Sequence, residues 1–138
     1  MTGRIALKEF VARLILEMMP IAISRRIVII NNISIDIVIE TDEEKFLQVL
    51  EKLMMGTIRS SQNSCIRISA EVDDDRTFIT IKDNNSNYSG YISGKMNKVE
   101  SIVNAIGGKI YFEFNNRHSI TIMLCLYQPV NTALKFAG

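Results

Sequence analysis

Three amphipathic helix-like segments alternate with pairs of short period-two runs, and this order restricts the fold more than any other feature of the chain. Single strands between helices build a parallel sheet with helices on both faces. Paired strands build a largely antiparallel or mixed sheet whose helices share one face. The first segment runs from about Ile5 to Met19, where Leu7, Phe10, Val11, Leu14, Ile15 and Met18 recur at helix spacing. Pro20, which lacks an amide hydrogen, is expected to stop or kink it. Ile27–Ile30 then reads as a strand, Asn31 and Asn32 as a turn, and Ile33, Ile35, Ile37 and Ile39 as the buried side of a second strand.

The second helix has the strongest start signal. Thr41 with Glu44 three residues later forms a capping box, and Phe46, Val49, Leu50, Leu53, Met54 and Ile58 trace one apolar stripe as far as about Ser60. Gly56 interrupts it, at a cost of about 1 kcal/mol relative to alanine. Beyond the polar turn Ser61–Ser64, the runs Ile66–Val72 and Thr77–Ile81 flank an acidic turn at Asp73, Asp74 and Asp75, the pattern of a hairpin. Asp83 to Asn97 reads as a loop containing Tyr88 and Tyr91. Asn97 then caps a third helix with Glu100 three residues on, Val99, Ile102, Val103 and Ile106 form its stripe, and Gly107 and Gly108 close it. Ile110, Phe112 and Phe114, a turn at Asn115, Asn116 and Arg117, and Ile120 to Leu126 make a last hairpin. After Pro129 only a short tail follows. The reading is α+β: a two-layer sandwich, one mixed and mostly antiparallel sheet with helices on one face, filling 1–138 as a single domain with its core at about 5–129.

Charge narrows the partners. Sixteen basic and fifteen acidic side chains give a formal net charge of +1, which supplies no field for a nucleic acid or an acidic membrane surface. That near balance leaves little colloidal repulsion, so self-association is open. No run of about 18 apolar residues marks a membrane span. Cys65 and Cys125 read as reduced, buried thiols, and with one histidine, His118, there is no zinc-ligand pattern. These features point to a cytoplasmic protein.

Three stretches carry a family resemblance. Asp42, Gln48-Val49-Leu50 and the basic Arg59 fall along one helix. Asp83 ends a strand, followed by Asn85 and Asn87. Gly107-Gly108 closes a helix before a hairpin and Pro129. In this order the chain resembles the ATPase domain shared by sensor histidine kinases, DNA gyrase, the Hsp90 chaperone and MutL, with the histidine kinase branch nearest. The resemblance implies ATP as ligand, with Asp83 reading the adenine amino group. It places Arg59 and Lys52 near phosphate, and Gly107 and Gly108 in the nucleotide-binding set. Lys95 is a further candidate for phosphate. Plain alternatives remain: Asp83 capping its loop, and Arg59 and Lys95 solvated at the surface.

The chain departs from the family pattern in four places. Lys52 and Gly56 stand at the two asparagine positions, one of which is the oxygen ligand that Mg²⁺ needs. Asn85 and Asn87 replace two glycines, Asn115, Asn116 and Arg117 stand where the last hairpin is glycine-rich, and only a short segment separates Asp83 from the third helix. Ser60, Ser61 and Ser64 show no spacing to a histidine or carboxylate that would activate them. The expectation is a degenerate domain with no catalytic residue and no metal, in which any ATP binding is weak. It would work as a non-catalytic signalling module through a protein partner or self-association. The alternative is a weak adenine-nucleotide-binding regulator or a sensor kinase ATPase domain.

Overall fold

The computed structural model describes residues 2–86, 96–115 and 118–128, without the side chains of Met96 and Asn97. The chain runs β1 (Thr2–Ala6), α1 (Leu7–Ser24), β2 (Ile27–Asn31), β3 (Val38–Asp42), α2 (Glu43–Arg59), β4 (Ser64–Asp73), β5 (Arg76–Asp83), α3 (Met96–Ala105), β6 (Gly108–Asn115) and β7 (Ser119–Tyr127). Five strands form a mixed sheet in the order β2-β4-β5-β7-β6. Only the β2–β4 pair is parallel.

One face of this sheet carries the core. Ile68, Ile81 and Ile122 are neighbours across β4, β5 and β7, and Ile79 and Leu124 continue the row below them. All five are buried in one cluster with the α2 residues Phe46, Val49, Leu50, Leu53, Met54 and Ile58 and the α1 residues Leu7, Phe10, Val11 and Leu14. The Phe10 and Phe46 rings meet at 5.2 Å where the two helices touch. Arg67, Glu71, Lys82, Lys109 and Glu113 are exposed on the opposite face, which no described helix covers. The α+β two-layer reading therefore holds. Ile102, expected in the core, is only half-buried because α3 leaves a groove beside α2.

Four local expectations are corrected. Helix α1 continues through Pro20 to Ser24. Pro20 is exposed, as is Leu16 four residues earlier (71%), so the missing hydrogen bond falls on the wetted side of the helix. Second, Ile33–Ile39 does not return beside β2 as a hairpin. The Asn31 carboxamide accepts from the Ile33 amide at 3.2 Å and donates to the Lys8 carbonyl at 3.1 Å, while Lys8 Nζ reaches the Ile33 carbonyl at 2.8 Å. These bonds turn the chain away. Ile35 is left 83% exposed, and only Val38–Asp42 is strand.

Third, β3 pairs with β1, a strand without a period-two signature in the sequence, to make a separate two-stranded sheet. Fourth, the α2 cap is Asp42, whose carboxylate accepts from the Lys45 amide at 3.1 Å. Thr41 is turned into the core. That amide bond lowers the Asp42 pKa. The side chain of the expected cap Asn97 and the tail from Pro129 lie outside the described residues; the backbone places Asn97 inside α3, whose described part begins at Met96.

Gln128 joins the two sheets. Its side-chain amide donates to the Glu40 carbonyl at 3.0 Å and accepts from the Glu40 amide at 2.6 Å, while its own amide donates to the Asp75 carbonyl. Cys65 and Cys125 are free thiols on strands separated by β5, and burial raises the Cys125 pKa. No described helix is long and apolar enough to cross a membrane.

Leu53→Ala should cost about 2–5 kcal/mol through lost transfer energy and the cavity left behind. Urea denaturation of the purified variant measures it, and a loss below 1 kcal/mol would show that the α2 stripe is not the core.

Candidate functional site

Among the described residues Asp83 is the only acidic or basic side chain that is buried. It lies on the core face at the end of β5, between Ile66 and Ile120 on the flanking strands, and is 1% exposed. The Ser61 hydroxyl, just past the end of α2, donates to its Oδ1 at 3.0 Å, and the Asn85 amide approaches the same oxygen at 3.3 Å. Ser61 also lies 2.9 Å from the Asn85 carbonyl and beside the Ser64 hydroxyl, so its one proton has competing acceptors. The other oxygen, Oδ2, is buried and has no hydrogen-bond partner among the described residues. Burial raises the Asp83 pKa, and the bonds from Ser61 and Asn85 oppose the rise without cancelling it. A buried acceptor without a donor is costly to a fold, so it fits a ligand that brings a donor.

Ser61 is the partner that sequence spacing did not reveal. It lies 22 residues from Asp83 and meets it only because α2 ends where β5 ends. Among the described residues its neighbours give no catalytic triad. The single histidine, His118, is exposed, and its contribution here is its main-chain carbonyl, which accepts from the Ser86 amide at 2.6 Å. Asn85 anchors the turn with its own side chain, which donates to the Gln62 carbonyl at 2.5 Å.

The remaining candidates divide into two groups. Gln48, Lys52, Gly56 and Arg59 occupy one side of α2 by their spacing. Lys52 and Gln48 line one wall of a groove of about 500 Å³, and Lys98, Ser101 and Ile102 of α3 line the other. Sequence reasoning singled out Gln48 only as part of the family motif, and did not single out Lys98 or Ser101. Arg59 is exposed at the end of α2, where its carbonyl accepts from Arg25 Nη2 at 3.1 Å. Lys95 and Asn87 lie outside the described residues.

Gly107 and Gly108 are not brought to Asp83. In the β5–β7–β6 register Asp83 sits opposite Ile120 and Gly108 opposite Leu126, six residues along the strand and so about 20 Å away. Their observed roles are conformational. Gly107 takes φ 75° to end α3. A Cβ on Gly108 would lie 2.7 Å from the Cys125 carbonyl oxygen and 2.8 Å from Leu126 Cδ2.

The fit to a nucleotide is therefore uneven. An adenine amino group matches the unpartnered Asp83 oxygen. A metal-bound triphosphate is poorly matched, because Gly56 has no side chain and the Lys52 ammonium repels a cation. Among the described residues no group of three or more His, Cys, Asp or Glu side chains forms a metal site.

No family model matches the sequence, and no curated protein matches it. Solved structures do. The histidine kinase AdeS of Acinetobacter baumannii superposes with a TM-score of 0.81 at 17% identity, covering 94% of this chain and 68% of that one. A nucleotide-free form of the catalytic domain of histidine kinase ThkA gives 0.80 at 16% identity, covering 93% and 98%. The cytoplasmic segment of histidine kinase QseC gives 0.70 at 13%, covering 92% and 78%. The chain has the fold of a histidine kinase catalytic domain, the ATPase fold expected from its three motif stretches.

Two variants test the site's energetics. Raising the folded pKa of an acid makes it a liability once ionised: its contribution is most favourable below the ordinary aspartate value and is lost as pH rises through the folded value. Asp83→Asn should therefore raise the melting temperature at pH 7, with the gain shrinking toward about pH 4. A variant destabilised equally at both pH values would show that the ionised carboxylate is well satisfied. Gly108→Ala should lose about 1–3 kcal/mol by forcing α3 from β7, read by thermal denaturation.

Proposed function

We propose that this domain is a non-catalytic signalling module built on the histidine kinase-like ATPase fold, acting by binding a protein partner in a cytoplasmic pathway. One observation carries the reading. Lys52, which lines the groove, and Gly56, four residues further along α2, take the positions where the resembled kinases use asparagine to hold metal and phosphate. Phosphoryl transfer depends almost wholly on positioning and on neutralising charge on the phosphates. A lysine supplies point charge but holds no Mg²⁺, so the chemistry is lost while the fold and its surfaces persist. Partner binding suits the fold, since ThkA has been observed in complex with the response regulator protein TrrA.

A second reading, a weak adenine-binding regulator, is favoured by the unpartnered, buried Oδ2 of Asp83. The two readings share the absence of transfer chemistry and differ in whether the adenine contact is used.

Calorimetry with adenosine, ADP and Mg·ATP separates them from an intact kinase domain. Adenosine should bind weakly or not at all, Mg·ATP should bind no more than a few-fold tighter, and any signal should disappear in Asp83→Ala, whose lost buried hydrogen bond is worth about 1–3 kcal/mol. Autophosphorylation and ATP hydrolysis should be at background. Tight Mg·ATP binding beside weak adenosine binding, or a Mg²⁺-dependent hydrolysis rate removed by Asp83→Asn, would overturn the proposal.

A further inference from the structure

Helix α1 is apolar on two sides. Leu7, Phe10, Val11, Leu14, Met18 and Ala22 are buried on the first. Ala12, Leu16, Met19 and Ile23 form a second row, at spacings of four, three and four residues. Leu16 is 71% and Ile23 64% exposed, Ala12 is exposed, and Met19 is half-buried. At about 100° per residue this row lies nearly opposite the buried one. It follows the flank that carries Lys8, turned away from Phe10 and its contact with Phe46 of α2. Arg13, Glu17 and Ser24 are exposed along the other outer flank, so polar side chains do not interrupt the row, and Pro20 borders it. Isolated exposed apolar residues are ordinary on a protein surface, but these are periodic. A helix apolar on both sides is characteristic of one covered on both sides. The four-three-four spacing is that of the seam of a two-stranded coiled coil.

We infer that this row packs against the same row of a second copy, the two α1 helices running antiparallel about a two-fold axis level with Glu17 and Met18. Leu16 then meets the partner's Met19, and Ala12 meets the partner's Ile23, each contact occurring twice. The small alanine makes room for the larger isoleucine, so the two helices approach closely. The ends of the row select the direction. Glu9 lies on the same row three residues before Ala12, and Arg26, in the left-handed turn just past α1, lies three residues after Ile23. Both are exposed, and neither has an ion-pair partner among the described residues. Antiparallel packing brings Glu9 to the partner's Arg26 at both ends. Parallel packing would set Glu9 against the partner's Glu9 and Arg26 against the partner's Arg26, which repel.

The charges around the row favour a copy of this chain over a lipid surface as its cover. Glu9 and Glu17 stand beside it as well as Arg13 and Arg26, and a net charge of +1 supplies no pull toward acidic headgroups. The same near balance leaves little long-range repulsion between copies. Neither Asp83 nor the groove at Lys52 takes part, so the inference stands or falls separately from both readings of function.

Sedimentation equilibrium of the full chain from micromolar to millimolar concentration tests it, with circular dichroism melts confirming that each variant folds. The wild type should associate to a dimer and no further. Leu16→Glu should weaken the dimer about tenfold or more, because both Leu16–Met19 contacts would then bury a charge. At low ionic strength Glu9→Arg and Arg26→Glu should each weaken it about fivefold, since two attractive contacts become repulsive, and added salt should shrink that difference. An equal mixture of those two variants, and the double variant E9R/R26E, should each recover the wild-type constant within about twofold. A wild type that stays monomeric throughout, or that floats with vesicles of anionic phospholipid, would overturn the proposal. So would a folded Leu16→Glu that associates normally, or charge variants that leave the dimer unchanged, as a parallel pairing requires of each single reversal.

Discussion

Burial of the α2 stripe against one face of the sheet is the interaction on which the rest of the structure depends. Phe46, Val49, Leu50, Leu53, Met54 and Ile58 cover Ile66, Ile68, Ile79 and Ile81, and the helix ends where β5 ends. This alignment places Ser61 beside Asp83, turns Lys52 toward α3, and leaves the opposite sheet face to solvent. A shift of α2 by one residue would break the first two at once, because side-chain direction on a helix rotates with each residue. Dense packing makes such a shift discontinuous.

The sequence was most readable where one pattern had one physical meaning. Strand β5 alternates in burial along its length, and α2 has both an apolar stripe and an acidic start. It was least readable where burial came without regular structure. Ile33 and Ile37 are buried like strand residues, yet they sit in a segment shaped by the Asn31 and Lys8 hydrogen bonds. Strand β1 buries Ile5 alone among its five residues, so it had no alternation to detect. Thr41 and Asp42 are both capping residue types. Tertiary packing chose between them by drawing the threonine side chain inward.

The site divides along similar lines. Asp83 was legible because a strand ending in aspartate is part of the pattern the chain resembles. Its orphaned oxygen was not, since satisfaction depends on residues far away in sequence. Gly107 and Gly108 were legible as a helix end, but the same signal gave no measure of their distance from Asp83. Only the strand register supplies that. Buried acid, basic groove and closing glycines are therefore three separate features, placed by three separate elements of packing.

The Gln128 clamp has a mechanical consequence. Because one side chain holds both the amide and the carbonyl of Glu40, and its own amide holds Asp75, a pull on the chain just beyond β7 is divided between β3 and the β4–β5 turn. Force entering there loads several hydrogen bonds together, in shear, where a free strand end would peel one bond at a time. Whatever is joined to the chain after Gln128 is thus coupled directly to the small β1–β3 sheet, at the start of α2.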